Sequence, residues 1–111
     1  MNKVSKYIPH QALVINQIID KTHLQYVYLF GSYAKKKNTT NSDVDLCLVY
    51  QSDAQAPDLA QLRLALKNVP LAFDLLAFRE DDFNAQKPIW WSIPAQVQQE
   101  GVMLYDASSH R

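Results

Sequence analysis

The sequence predicts an α/β (α+β) fold, a small mixed β-sheet flanked by helices, on three observations. Strand-length apolar runs at residues 26–30, 43–50 and 71–78 alternate with amphipathic helical patterns at 9–21, 57–69 and 88–100. The chain has 111 residues, enough for one domain with a modest core and too few for two. Its composition is that of an ordinary globular protein, 48% hydrophobic with 11 basic residues balancing 11 acidic ones. Residues 1–111 are therefore read as a single domain, with about 107–111 as a flexible tail.

Each element has its own justification. Pro9 suits a first helical turn, and Ile15, Ile18 and Ile19 recur at helical spacing up to Lys21. Tyr26 to Phe30 reads as a strand running into Gly31-Ser32, after which a short helix from Ser32 carries Ala34 and Lys35. Asp43 to Tyr50 is the second strand. Pro57 and Asp58 open a long helix with Leu59, Leu62, Leu66 and Val69 on one face. Leu71 to Phe78 is the third strand, and the acids of Arg79-Glu80-Asp81-Asp82 start a helical turn. Pro88 to Glu100 reads as a last helix with Trp90, Ile93 and Val97 inward, kinked or divided at Pro94 and stopped by an αL Gly101.

The chemistry concentrates in Leu29-Phe30-Gly31-Ser32-Tyr33-Ala34-Lys35 and Asn41-Ser42-Asp43-Val44-Asp45-Leu46. Residues i and i+2 of a strand share a face, so Asp43 and Asp45 point together while Val44 and Leu46 face the other way. Two carboxylates that close repel unless a cation neutralises them, and hard oxygen donors suit Mg²⁺. Gly31 lets the backbone approach a phosphate, and Ser32 would cap the next helix so that its free amides face an anion. Chance produces Gly-Ser, ten residues and Asp-x-Asp about once in a thousand chains of this length. In Leu71-Ala72-Phe73-Asp74-Leu75-Leu76-Ala77-Phe78, a lone carboxylate interrupts an apolar strand. Burying Asp74 there is costly unless it is paired or bound to metal; the alternative is that it faces solvent.

This pattern resembles the signature of the nucleotidyltransferase superfamily that includes DNA polymerase beta. Within it, the chain is similar to the minimal nucleotidyltransferases, single small domains that act as antitoxins beside HEPN-domain ribonuclease toxins. The ending Gln99-Glu100-Gly101-Val102-Met103-Leu104-Tyr105 looks like the way these domains finish. One departure is Lys36, which stands where the family usually has glycine; if that position needs φ > 0, a lysine is strained there, and Asn38 would let the loop turn later.

The resemblance implies a nucleotidyltransferase fold and Mg²⁺-dependent transfer of AMP from ATP to an acceptor hydroxyl. Asp43, Asp45 and Asp74 would be the metal ligands and catalytic acids, Asp74 orienting or deprotonating the acceptor. Gly31, Ser32 and Lys35 would hold the triphosphate. Three readings follow: an antitoxin that adenylylates a tyrosine of its HEPN toxin, a small-molecule nucleotidyltransferase that needs dimerisation, and a non-catalytic antitoxin that neutralises by contact. The first accounts best for three retained acids in so short a chain. Whether the chain forms a homo-oligomer or a hetero-oligomer with the toxin stays open.

Other features narrow the setting. Zero formal charge gives no footprint for a nucleic-acid duplex, and no stretch approaches the ~20 apolar residues of a membrane helix. With no secretion signal and a single cysteine, Cys47, the expected compartment is the cytoplasm. His10, His23 and His110 lack zinc-ligand spacing. Adjacent Trp90 and Trp91 cannot both face one neighbour on a helix, so one of them is either a partner contact or covered by its own chain.

Overall fold

The computed structural model describes residues 6–109. Four strands, β1 (Leu24–Phe30), β2 (Val44–Tyr50), β3 (Phe73–Arg79) and β4 (Val102–Asp106), form one sheet in the order β3-β2-β1-β4. The central β1 is antiparallel to both β2 and β4, whereas β2 and β3 run parallel, joined through a helix. The sheet is mixed, as the alternation of elements predicts. Strand β4 is an addition: its five residues include a register shift against β1, which blurs the period-two pattern.

Four helices cover the two faces: α1 (Gln11–Ile19), α2 (Leu59–Ala65), α3 (Glu80–Gln86) and α4 (Ile93–Glu100). On one face, Val14, Ile15 and Ile18 of α1 and Leu62 of α2 pack with Val27, Leu29, Val44, Leu46, Leu48 and Leu75. On the other, Phe83 of α3 and Val97 of α4 pack with Tyr28, Phe30, Cys47 and Val49. The parity of β2 sorts its side chains: even-numbered residues face α1 and α2, odd-numbered ones face α3 and α4.

Several expectations are corrected. Helix α2 ends at Ala65, earlier than the apolar period suggests, yet Leu66 and Val69 are buried from the turns that follow. Asp58 caps it through a bond from the Gln61 amide, 3.2 Å. Helix α4 begins at Ile93, because the Ser92 hydroxyl accepts from the Ala95 amide at 3.1 Å and donates to the Gln86 carbonyl at 2.7 Å. Trp90 therefore precedes the helix and faces solvent, 83% exposed, and Trp91 is 72% exposed; Ile93 is also exposed, so of the three residues expected inward Val97 alone is buried, joined by Pro94. Pro94 lies in the first turn of α4, where its missing amide costs nothing, so no kink arises.

Gly101 is extended rather than αL, at φ −79°. Its lack of a side chain matters for another reason: a Cβ would collide with the Val97 carbonyl oxygen and stand 3.1 Å from that of Leu29. Ala107–Ser109 form a 3-10 turn, with the Gln25 amide bonded to the Ser108 hydroxyl at 3.1 Å. His10 and His23 are exposed, and His110 lies outside the described residues. No described helix is long and apolar enough to cross a membrane.

Candidate nucleotide and metal site

The candidate residues meet where β1 ends and β2 and β3 begin. Asp45 is the register partner of Asp74 on β3 and of Phe30 on β1. Partners in a sheet share a face, so Asp45 and Asp74 stand side by side on the face of α3 and α4, one strand spacing (about 4.8 Å) apart. Asp43, just ahead of β2, keeps the same parity. It is fixed from both sides. The preceding loop closes through the Thr39 amide on the Ser42 hydroxyl at 2.8 Å, and the Val44 amide donates to the Ala72 carbonyl at 2.8 Å.

Gly31 has φ +75°, and a Cβ there would overlap the Asp45 carboxylate. The glycine is thus required by the carboxylate lying over it as well as by the turn itself. The sequence suggests only the second of these roles.

After Gly31 the chain makes a single helical turn in place of the expected short helix. The Lys36 amide donates to the Tyr33 carbonyl at 3.2 Å and the Lys37 amide to the Ser32 carbonyl at 2.9 Å. Those two bonds, with Lys36 at φ +57°, are the Schellman pattern that ends helices. The chain turns at Lys36 and not at Asn38, placing a lysine where glycine is preferred. Tyr33 anchors the turn by burying its ring in the α1–α2 core, and the Lys36 ammonium sits 5.1 Å from the Tyr7 ring centre. Among the described residues, the amides of Ser32, Tyr33 and Ala34, at the start of the turn, donate to no backbone carbonyl.

The electrostatics match the geometry. Burial, then the charges of Asp74 and Asp43, push the Asp45 carboxyl above its ordinary range. The three acids therefore act on one another, and no lysine or arginine among the described residues pairs with any of them. Asp74 is exposed, the solvent-facing one of the two alternatives the apolar strand leaves open; Asp45 is the half-buried member. No three described His, Cys, Asp or Glu side chains form a ready-made metal cluster.

Lys35 is the one predicted phosphate contact with a partner already. Its ammonium is 2.9 Å from a carboxylate oxygen of Glu100, at the end of α4. Nothing in the local sequence signals this pairing, which depends on α4 packing against β1. A cavity of about 520 Å³ lies elsewhere, lined by Lys6, His10, Gln11, Leu13, Asn16 and Leu104. Its described lining contains no carboxylate and none of the candidate site residues singled out from the sequence.

Residues 14–110 match the family described as Polymerase beta, Nucleotidyltransferase, and the chain belongs to that family. No curated protein matches its sequence. Among solved structures, the fold is similar to a toxin–antitoxin with AMP-PNP, at 23% identity and a TM-score of 0.66, covering 91% of this chain and 77% of that one. It is also similar to a mutant of the MntA-HpeT toxin–antitoxin, at 21% identity and a TM-score of 0.63, covering 89% and 75%. A putative nucleotidyltransferase from Sulfolobus solfataricus shares 16% identity with a TM-score of 0.56, covering 97% and 94%.

Proposed function

We propose that this protein is a cytoplasmic, Mg²⁺-dependent nucleotidyltransferase that serves as an antitoxin, transferring AMP from ATP to a tyrosine of a HEPN ribonuclease toxin. The observation that carries the reading is the register of Asp45 with Asp74 over Gly31, with Asp43 two residues away on the same face. The fold likeness to toxin–antitoxin structures, one of them with AMP-PNP, favours this class of partner and co-substrate.

Asp43 and Asp45 would hold Mg²⁺, which when bound neutralises triphosphate charge and polarises the α-phosphoryl group. The turn at Gly31 and Ser32 offers its amides to the β- and γ-phosphates, with Lys35 as an added cation. Asp74, exposed beside Asp45, takes the proton of the incoming tyrosine hydroxyl. The phenol oxygen then bonds to the α-phosphorus as the bond to pyrophosphate breaks, so no covalent enzyme intermediate is needed. Adjacent exposed Trp90 and Trp91, ring centres 5.5 Å apart, supply an apolar contact for the toxin.

The test incubates α-labelled ATP, Mg²⁺ and the toxin encoded by the neighbouring gene with the wild type and with Asp43→Asn and Asp45→Asn. Labelling of a toxin tyrosine by the wild type alone is expected. Toxin neutralised without label by all three proteins would instead mean inhibition by contact.

A further inference from the structure

The Lys35–Glu100 pair lies at the mouth of the proposed triphosphate turn and is held there by more than its own attraction. Gly101, at the end of α4, lies close against the Leu29 carbonyl oxygen of β1, and Leu29 is two residues before Gly31. Val97, three residues before Glu100, packs with Tyr28 and Phe30 of β1, and Val102, two residues after it, is the register partner of Leu29, so the chain on both sides of Glu100 is fixed to the strand that leads into the turn. On the other side, Lys35 belongs to the turn itself, its amide donating to the Gly31 carbonyl at 3.2 Å. Two anchored segments thus bring an ammonium and a carboxylate to 2.9 Å. The C-terminal end of α4 adds its own negative dipole beside the ammonium.

We infer that Glu100 is a positioning residue that competes with the nucleotide for Lys35. It holds the ammonium at the end of α4 while the triphosphate is absent and gives it up when phosphate oxygens arrive. The inference rests on reading the Gly31–Lys37 turn as the triphosphate site. Both side chains are substantially exposed, 43% and 40%, so the pair is screened by water and its hold is modest. That suits a contact exchanged at each binding event: a strong, buried pair would withhold the lysine altogether. Glu100 then sets nucleotide affinity without touching the nucleotide.

Equilibrium binding of Mg²⁺-ATP to the wild type, Glu100→Gln, Lys35→Ala and the double variant tests this, with melting curves confirming that each is folded. Glu100→Gln is expected to tighten binding about two- to fivefold, the range for releasing an exposed pair. Lys35→Ala should weaken binding, and adding Glu100→Gln to it should change nothing further. Binding that is unchanged or weaker in Glu100→Gln overturns the inference. So does equal tightening in the absence of Lys35, since the carboxylate would then act on the triphosphate directly. A folded wild type that binds no Mg²⁺-ATP removes the triphosphate site itself, and the inference falls with it.

Discussion

The two ends of strand β2 place residues of the same face in opposite surroundings. At the start, exposed Asp43 and half-buried Asp45 lie beside exposed Asp74; two residues later, Cys47 and then Val49 are sealed beneath Phe83 and Val97. Both Asp45 and Cys47 are harder to ionise than usual, but for different reasons. Burial alone pushes the Cys47 thiol up to about 12, whereas Asp45 also feels two neighbouring carboxylates. Burial without charged neighbours makes a silent core residue. Partial burial among like charges, beside a glycine turn, is the arrangement that on the proposed reading would attract a cation and a phosphate.

The sharpest way to break this contrast is to neutralise the open end. Asp43→Asn or Asp45→Asn should each reduce AMP transfer about a hundred- to a thousandfold, the scale for losing a preorganised electrostatic contact. In the metal-free protein, Asp45→Asn should leave the melting temperature unchanged or raise it, since it removes a repelled charge. The sign of the pH effect agrees. With its folded pKa raised, Asp45 binds its proton more tightly in the native state, so the metal-free protein gains stability as pH falls through that pKa towards the unfolded carboxylate value. A steep drop in melting temperature on Asp45→Asn would mark it as a structural hydrogen-bond acceptor.

Breaking the covered end should do the opposite. Phe83 is fully buried and stacks on Tyr28 with ring centres 5.6 Å apart. Phe83→Ala should cost about 3–5 kcal/mol in a denaturant titration. Gly31→Ala tests the border between the two ends. The αL strain and the overlap with Asp45 should cost about 1–3 kcal/mol and displace the carboxylate, so transfer falls even in the fraction that remains folded.

The smallest effect belongs to Lys36. Glycine at this αL position should stabilise the fold by about 1 kcal/mol, less whatever the contact with Tyr7 contributes. A thermal melt of Lys36→Gly measures the balance. If transfer falls strongly at unchanged stability, the lysine has a role of its own.

The acids and the Gly-Ser turn were legible because both depend on local rules: alternation along a strand and the residue types that turns accept. Even the φ > 0 position was legible as a question, since Lys36 breaks a familiar pattern. What stayed hidden depends on packing between distant segments. Strand β4 is short and shifted in register, Ser92 rather than Pro88 starts α4, and only the docking of α4 on β1 brings Glu100 to Lys35. Exposure also escaped the apolar pattern. The apolar strand leaves the burial of Asp74 open, and the structure exposes it; Trp90 reads as inward in sequence, but a helix cap leaves it outside.

The central claim is that nucleotide and metal bind at the open end of the sheet, and amide shifts in a Mg²⁺-ATP titration of the labelled protein test it most directly. The account predicts the largest changes at residues 31–37, 43–45 and 74, with little at Cys47, Val49, Phe83 and Val97. Changes centred on the cavity lined by His10, Leu13 and Leu104, or a response to ATP that does not depend on Mg²⁺, would contradict it.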